Sequence, residues 1–322
     1  MNKKICIIAS GGDAPGMNAC IEGIVNFAPS NFKFFGAIGG YDGLVNDNGI
    51  ILDRTNTSGI SHISGCFLKC GRSEEFTTPE GVQKALATIK RHKFDAVIIL
   101  GGNGSLSGAM KRLEPNGINV IGIPSTIDND VFFTKNSLGF SSAFEESVRL
   151  VDNLNITMRT NNRDHVVQLM GWYCPDLTNS VGLATFADII DTFDNRHSHA
   201  QIAKIWANNR KEGKQSNLMI LQETKGKDIH DEAIHSANYL GDLMRAIATE
   251  NNIESATSRV RMSTLGHLQR GASPSARDRW LGANYAKKAL ELINAKQFGV
   301  AIGLVGDHFI AVPLSKIMDK IS

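Results

Sequence analysis

Two polar segments of the sequence carry residue types that suit phosphate chemistry, and each follows an apolar run. LGGNGSLSG at 100–108 follows FDAVIIL, and PSTIDND at 124–130 follows INVIGIP. A glycine-rich turn that leaves a strand and opens a helix offers free backbone N–H groups to an anion. Two aspartates with a threonine upstream suit phosphoryl transfer, because one carboxylate accepts the proton of the attacking hydroxyl and the other orients substrate or holds metal.

Each segment also has a plainer interpretation. The glycines around Asn103 are compatible with a tight turn, and Asp128 and Asp130 are compatible with an Asx-turn whose carboxylates face water. Asn103 is unexpected in a nucleotide site, because magnesium prefers anionic oxygen ligands. These observations leave open a nucleotide site with an altered metal ligand, a site that has lost its chemistry, and a simple turn.

Two further loops carry suitable residues. SGGDAPGMN at 10–18 is a second glycine-rich turn after an apolar run, and GHLQRGASP at 266–274 follows SRVRMSTL. His267 and Arg270 suit an anionic sugar phosphate, since arginine offers a bidentate fork to phosphate oxygens. Ligands of open α/β sheets bind beyond the carboxyl ends of the strands, so these loops are where we expect the chemistry.

The elements that must position these loops alternate along the chain. Amphipathic segments such as PEGVQKALATIKRH separate apolar runs, and AFEESVRLVDNLNITMR predicts a long helix that begins near Phe140. This alternation predicts an α/β fold with mostly parallel sheets covered by helices on both faces. The strand-like runs are KICIIAS, FKFFGAIG, FDAVIIL, INVIGIP, HVVQLMG, SNLMILQE and SRVRMSTLG.

The length of 322 residues favours two lobes over one. The sequence contains no internal repeat and no proline-rich linker, so we expect the chain to cross between lobes through ordinary loops, near 138–140 and 252–256. The predicted larger lobe comprises 1–138 and 255–302 with the glycine-rich loops, and the predicted smaller lobe comprises 139–254 and 303–322.

The composition argues against several classes of protein. The 34 basic and 32 acidic residues nearly cancel, which does not favour a nucleic-acid or membrane-surface partner. The N-terminus lacks the features of a signal peptide, and no apolar segment reaches the roughly 20 residues of a membrane helix. Five scattered cysteines without a CxxC pair indicate reduced thiols in a cytoplasmic protein, and RHSH at 196–199 favours a polar loop over a metal site.

Four segments together resemble a known family. SGGDAPGMNA, IDND, MG-YC-DLT and LGH-QRG-SP match the bacterial ATP-dependent 6-phosphofructokinases in order and spacing, and the resemblance extends along essentially the whole chain. It implies a two-lobed phosphofructokinase-like fold with the active site in the cleft. It also implies a cytoplasmic homotetramer whose active sites are shared between subunits.

The resemblance further implies roles for individual residues. Asp128 would be the general base that takes the proton from the 1-hydroxyl of fructose 6-phosphate, flanked by Thr126 and Asp130. Arg163 and Arg261 would reach the sugar phosphate from a neighbouring subunit. The residues implied for ATP with Mg²⁺ are Gly11, Tyr41, Arg72, Gly102, Asn103, Gly104 and Ser105. The residues implied for the sugar phosphate are Arg163, Met170, Gly171, Trp172, Glu223, Arg261, His267 and Arg270.

Two positions bear on the phosphoryl donor and two on the rate. Relatives that use pyrophosphate usually carry an acidic residue at the position of Gly104 and a lysine at that of Ser125, so ATP is favoured here. Asn103 replaces the aspartate that the family associates with magnesium. Trp172 replaces an arginine near the transferring phosphoryl group, which removes a cation that stabilises transition-state charge.

The control of activity is also expected to differ from that of bacterial relatives. Those relatives bind ADP or phosphoenolpyruvate between subunits with arginines whose positions are occupied here by Glu22, Asn26 and Asn155. Three cations of this cluster remain, namely Arg54, Lys211 and Lys214. A cluster that has lost three cations should bind a polyanion poorly, so we expect little or no response to these effectors.

The favoured function is transfer of the γ-phosphate of ATP to fructose 6-phosphate, giving fructose 1,6-bisphosphate in glycolysis. The alternative is a catalytically weak or silent regulatory homologue that binds the sugar phosphate, because Asn103 and Trp172 both fall at the expected reaction centre. A third hypothesis is a kinase with a changed phosphoryl donor or acceptor.

Overall fold

A computed structural model describes residues 2–223, 237–250 and 260–318 of the chain. The strands are β1 (Lys3–Ala9), β2 (Phe32–Ala37), β3 (Gly49–Leu52), β4 (Ala96–Gly101), β5 (Val120–Thr126), β6 (Leu138–Gly139), β7 (Asp164–Leu169), β8 (Ile189–Asp191), β9 (Leu218–Gln222), β10 (Val260–Thr264), β11 (Val300–Val305) and β12 (His308–Pro313). The α-helices are α1 (Met17–Phe27), α2 (Tyr41–Val45), α3 (Pro79–His92), α4 (Asn103–Arg112), α5 (Phe140–Thr160), α6 (Asp176–Ala184), α7 (His199–Lys211), α8 (Ala237–Glu250), α9 (Ala276–Asn294) and α10 (Ser315–Met318). Short 3-10 helices lie at Glu75–Thr77, Glu114–Asn116 and Gly266–Leu268.

The predicted strands and helices are confirmed. All seven apolar runs form strands, and the long helix begins at Phe140 as expected. The predicted helix PEGVQKALATIKRH is α3, which has local start and stop signals. The Thr78 side chain accepts a hydrogen bond from the backbone N–H of Gly81, and Lys93 ends the helix in the left-handed conformation at φ 58°.

The first of two compact units comprises Met1–Ala143 and Arg270–Ser322. Its sheet has the order β12-β11-β5-β4-β1-β2-β3, and β6 pairs with β5. The inner pairs are parallel, whereas β3 and β12 run antiparallel at the two edges. The register sets Ala9 opposite Leu100 and Gly101 opposite Pro124, so the loops after β1, β4 and β5 leave the same edge side by side.

The core of this unit explains why its inner strands are mostly apolar. A parallel sheet covered on both faces buries every side chain of its central strands. Ile8, Val97, Ile99 and Leu106 belong to one buried cluster on the side of α2, α3 and α4. On α1, a Cβ at Gly23 would lie 2.9 Å from the Cβ of Ala286, so glycine permits close packing of α1 against α9.

The second unit comprises Phe144–Gln269 and contains a four-stranded parallel sheet in the order β10-β7-β9-β8. Its core is centred on the fully buried Trp206, packed with residues of the strands and of α7 and α8. Gln168 pairs with both Leu221 and Thr264, and Leu221 pairs with Asp191. The carboxyl ends of all four strands therefore lie at one edge of this sheet.

The unit boundaries differ from the predicted lobes at three places. The first unit extends to Ala143, whereas the predicted larger lobe ended at 138. The predicted larger lobe included residues from 255 onward, but β10 pairs with β7 and belongs to the second unit. The predicted smaller lobe included 303–322, but β12 pairs antiparallel with β11 and so remains in the first sheet. The two strands of a hairpin belong to one sheet, and the apolar pattern of the sequence does not show that β11 and β12 form a hairpin. The predicted crossing near 252–256 lies outside the described residues.

Among the described residues, no helix combines the length and apolar character that crossing a membrane requires.

Candidate active site

The glycine-rich loop at 100–108 connects β4 to α4 in the first unit. Gly102 is the N-cap residue of α4 and provides no side chain to accept from the first N–H groups of the helix. A Cβ at Gly104 would meet nothing within 4 Å, whereas Gly11, at φ 93°, would place a Cβ 3.3 Å from Ser105 Oγ. The two glycine-rich loops are thus neighbours, and together they form a surface of backbone suited to a phosphate.

Tyr41 supports this loop from beneath. Its hydroxyl donates to the Ser105 carbonyl at 2.8 Å, and its ring stacks on Phe76 with ring centroids 4.1 Å apart. Burial raises the pKa of the Tyr41 hydroxyl, which therefore stays protonated and able to donate. Arg72 is exposed and follows Gly71, whose carbonyl accepts a 3.1 Å hydrogen bond from the N–H of Gly11.

The acidic segment after β5 is a turn in which hydrogen bonds fix the orientation of the side chains. Thr126 Oγ1 accepts a 3.2 Å hydrogen bond from the Asp128 N–H and lies 3.3 Å from Asp128 Oδ2. Asn129 adopts the left-handed conformation at φ 56°, and its Oδ1 accepts from the Ser137 N–H at 2.9 Å. The middle residue therefore makes the turn, which leaves the carboxylates of Asp128 and Asp130 for other contacts.

Asn103 joins the glycine-rich loop to the acidic segment. Its Nδ2 donates to Asp130 Oδ2 at 3.0 Å and to the Asp130 carbonyl at 3.1 Å. Its Oδ1 is buried and has no hydrogen-bond partner among the described residues. Partial burial of the Asp130 carboxyl, together with the charge of Asp128, raises its pKa, and the hydrogen bond from Asn103 acts in the opposite direction.

The donors at this junction suit a magnesium ion that is shared with a phosphate. The described part of the chain holds no cluster of three or more histidine, cysteine, aspartate or glutamate side chains that would cage a metal. The junction instead offers the carboxylates of Asp128 and Asp130 and the unsatisfied oxygen of Asn103. Mg²⁺ is commonly bound by one or two carboxylates together with water and substrate phosphates, so this set fits it.

Arg270 belongs to the first unit and lies against the loop after β1. Its Nη1 donates to the Asp13 carbonyl at 3.1 Å, and a Cβ at Gly12 would lie 2.6 Å from that nitrogen. Glycine at position 12 therefore makes room for the guanidinium.

In the second unit, Met170, Gly171, Trp172 and Glu223 follow the carboxyl ends of β7 and β9. The Met170 N–H donates to Gln269 Oε1 at 2.9 Å. The Glu223 N–H donates to the Leu169 carbonyl at 2.7 Å. Gly171 and Trp172 both have positive φ, at 143° and 49°, so the chain turns sharply at the position where the resemblance implies an arginine. His267 lies exposed on the 3-10 helix after β10, beyond the same edge.

Arg163 and Arg261 lie at the opposite edge of this sheet. Arg163 directly precedes β7, and Arg261 is the second residue of β10 and donates to the Val260 carbonyl. The strand between Arg163 and Met170 spans about 20 Å at the usual rise per residue. The second unit thus does not bring these arginines to Met170, Glu223 and His267, and the role implied for them stays a prediction.

Two buried glutamines outside the predicted site hold the loops of this edge. Gln269 Nε2 donates to Ser147 Oγ at 2.9 Å. Gln222 Nε2 donates to the carbonyls of Trp172 and Cys174, at 2.8 and 3.0 Å. A fully buried polar residue at the end of an apolar strand, as in LMILQ, is the signal that could have identified Gln222.

The residues at the expected effector positions make contacts within the chain. Glu22 accepts hydrogen bonds from the backbone N–H groups of Gly59 at 3.0 Å and Ser61 at 2.7 Å. Partial burial tends to raise the pKa of Glu22, but these hydrogen bonds outweigh it and the pKa is lowered. Arg54 donates to the carbonyls of Asn26 and Ala28.

Glycine-rich turns and an acidic segment at the carboxyl edge of a parallel sheet define an α/β protein built to bind a phosphorylated ligand. A family model described as Phosphofructokinase matches residues 4–293. The ATP-dependent 6-phosphofructokinase of Shouchella clausii (strain KSM-K16) is 32% identical over 319 residues, covering 99% of this chain and 94% of that protein. That of Spiroplasma citri is 34% identical over 319 residues, covering 99% and 92%. The chain belongs to the phosphofructokinase family.

Solved structures agree with the predicted fold. The phosphofructokinase of Saccharomyces cerevisiae superposes with a TM-score of 0.83 at 26% identity, covering 99% of this chain and 45% of the yeast chain. This chain thus spans less than half of the yeast chain. A pyrophosphate-dependent phosphofructokinase from Marinobacter aquaeolei gives a TM-score of 0.81 at 17% identity over 98% of this chain and 83% of that one, which concerns the fold alone.

Proposed function

We propose that this chain transfers the γ-phosphate of ATP to the 1-hydroxyl of fructose 6-phosphate, as the names of its bacterial relatives describe. The observation that carries the proposal is the junction of Asn103 with Asp130, which brings a helix N-terminus suited to phosphate against a carboxylate pair. Phosphoryl transfer depends mainly on positioning and on electrostatic stabilisation, and this junction supports both.

Asp128 acts as the general base. Thr126 orients its carboxylate, and that carboxylate takes the proton of the attacking 1-hydroxyl. Asp130 is held by Asn103 and flanks the reacting groups. The N–H groups at the start of α4 and the Gly11 loop bind the nucleotide phosphates, and Tyr41 fixes the loop through Ser105.

The sugar phosphate is bound by the residues beyond the carboxyl edge of the second sheet, and Arg270 keeps the sugar-phosphate role that the resemblance implies. Met170, Gly171, Trp172, Glu223 and His267 contact the sugar and its phosphate, and Arg163 and Arg261 come from a neighbouring subunit of a homotetramer. The position of these two arginines at the amino edge of their own sheet supports a contribution from another chain.

A magnesium ion would accompany the nucleotide. Asp128, Asp130 and the Asn103 amide oxygen would hold Mg²⁺ together with phosphate oxygens, where the ion neutralises phosphate charge. ATP is the donor in preference to pyrophosphate, since Gly104 carries no acidic group and Ser125 is a buried serine. The enzyme acts in glycolysis in the cytoplasm.

A coupled assay with fructose 6-phosphate, magnesium and either ATP or pyrophosphate tests this function. We expect turnover with ATP within the ordinary range, roughly 1–10³ s⁻¹. No turnover with either donor, together with calorimetric binding of fructose 6-phosphate, would instead support the regulatory homologue. Turnover with pyrophosphate alone would overturn the assignment of the donor.

A further inference from the structure

A charged cluster at the carboxyl edge of the second unit's sheet includes Arg196 and His197 of RHSH, the segment predicted to be a polar loop. The buried carboxylate of Asp191 ends β8. Its Oδ2 accepts a 2.9 Å hydrogen bond from Arg196 Nη1. Its Oδ1 accepts from the backbone N–H of His197 at 2.6 Å and lies 2.9 Å from His197 Nδ1. The aspartate therefore fixes the direction of both following side chains.

Gln222 connects this cluster to the segment that contains Trp172. Its side chain donates to the Trp172 carbonyl and accepts from the N–H of Phe193 at 3.0 Å, so it holds the loops after β7 and β8 together. Its own carbonyl accepts from Arg196 Nη1 at 3.5 Å. Because Glu223 is the next residue, Arg196 is anchored beside two of the residues assigned to the sugar phosphate.

One terminal nitrogen of Arg196 has no hydrogen-bond partner among the described residues. Nη1 contacts Asp191 and Gln222, whereas Nη2 is buried and makes no hydrogen bond with any described residue. A buried charged donor without an acceptor is unfavourable, and a ligand oxygen at this nitrogen would remove the cost.

Arg210 in the same unit provides a comparison. Its Nη2 forms an ion pair with the buried Asp164, and its Nη1 donates to the Gln215 carbonyl at 3.2 Å. Asp164 is the first residue of β7, so this pair lies at the amino edge of the sheet. Among the described residues, both terminal nitrogens of Arg210 thus have partners, whereas Arg196 at the carboxyl edge has one terminal nitrogen without an acceptor.

We propose that Arg196 binds a phosphate group at the carboxyl edge of this sheet, with Nη2 donating to a phosphate oxygen. A guanidinium suits a phosphate because its donors match the spacing of two oxygens. Arg196 thereby provides a positive charge next to the segment where Trp172 stands in place of the arginine implied by the resemblance. The inference rests on the proposed function, and the phosphate belongs either to the sugar phosphate or to the nucleotide.

The test compares Arg196→Gln with Arg210→Gln, because each variant removes one arginine from a buried aspartate of the same unit. We expect Arg196→Gln to raise the KM of one phosphorylated substrate by on the order of tenfold to a hundredfold. Arg210→Gln should lose comparable thermal stability and keep both KM values within about twofold. Arg196→Lys retains the positive charge but not the paired donors of the guanidinium. Its KM should therefore lie between those of the wild type and Arg196→Gln.

The outcomes identify the source of the phosphate. A raised KM for fructose 6-phosphate alone assigns the contact to the sugar phosphate, and a raised KM for ATP alone assigns it to the nucleotide. Unchanged KM values for both substrates in a folded Arg196→Gln protein would overturn the proposal. Equal increases in Arg196→Gln and Arg210→Gln would also overturn it, since the effect would then be structural.

Calorimetry separates this inference from the proposed function. If the wild type binds fructose 6-phosphate without turnover, the proposed function fails, and weaker binding by Arg196→Gln alone still supports the contact. If Arg196→Gln and the wild type bind fructose 6-phosphate and ATP equally well, the contact is excluded whatever the activity.

Discussion

The side-chain amide of Asn103 donates to the Asp130 carboxylate at 3.0 Å, while the oxygen of the same amide is buried without a partner. The hydrogen bond from this nitrogen stabilises the negative charge of the carboxylate, which is part of what a metal ion would do there. The oxygen remains available to an ion or to a water bound to one.

Asn103→Asp should make stability depend on magnesium. The substitution removes the donor and sets a further negative oxygen against Asp130, so without metal we expect a loss of about 0.5–1.5 kcal/mol of unfolding free energy. Magnesium should raise the melting temperature of the variant more than that of the wild type, measured by thermal unfolding with Mg²⁺ or with a chelator. Asn103→Ala is the control, since it loses the hydrogen bond without gaining charge. An identical magnesium response in all three proteins would contradict a metal at this junction.

Asp128→Asn should lower kcat by about 10²–10⁴-fold with little change in the KM of fructose 6-phosphate, because the amide retains the shape but cannot take the proton. Steady-state kinetics with ATP measures both parameters. Asp307→Asn, at the exposed turn between β11 and β12, is the matched control and should behave like the wild type. Wild-type kcat in Asp128→Asn would show that another group takes the proton.

Two glycines of the first unit should affect different substrates. A Cβ at Gly12 would lie 2.6 Å from Arg270 Nη1, so Gly12→Ala should displace the guanidinium and raise the KM of fructose 6-phosphate by about tenfold. A Cβ at Gly104 meets only open space, so Gly104→Ala should fold normally and raise the KM of ATP instead. Measuring the KM of fructose 6-phosphate and of ATP for each variant checks this expectation. A higher KM for ATP in Gly12→Ala and for fructose 6-phosphate in Gly104→Ala would contradict the assignment of the loops.

Glu22 should contribute stability at neutral pH that disappears in acid. Its pKa in the folded chain is lowered below the ordinary 4.5 by the hydrogen bonds from Gly59 and Ser61. The contribution is therefore complete above the unfolded pKa and is lost as the pH falls through the lower, folded value. The unfolding free energy of the wild type should exceed that of Glu22→Gln by less than about 1 kcal/mol at pH 7, since water screens the carboxylate. Denaturant unfolding should show the difference vanishing in acid, and a difference that persists there would exclude this cause.

Phosphoenolpyruvate and ADP should not produce sigmoidal kinetics. Glu22 already occupies the backbone N–H groups of Gly59 and Ser61, and Arg54 is engaged by backbone carbonyls. A negative charge in place of an arginine repels an anionic effector. Titration of the initial rate at low fructose 6-phosphate with each compound checks this expectation, and strong sigmoidal inhibition or activation would refute it.

The sequence predicts the individual strands well but not the contacts that depend on sheet register. The apolar runs and the glycine-rich turns identify β1, β4 and β5 and the loops that follow them, because these signals are local. Asp191 and Arg196 carry no such signal, and the position of Gln222 at the end of LMILQ does not reveal its partners. These residues meet only when β8 pairs with β9 and sets Asp191 opposite Leu221. The assignment of β12 failed for the same reason, because its pairing with β11 decides where it belongs.

The location of Arg163 and Arg261 has a consequence for how variants of this protein will be interpreted. In the proposed homotetramer, these cations lie at the edge opposite to Met170 and Glu223 and would serve the active site of a neighbouring subunit. A substitution on a distant contact surface that only weakens association will then appear in an assay as poorer affinity for the sugar phosphate. Dilution of the protein will also lower the apparent affinity for the sugar phosphate, although no residue that contacts the substrate has changed.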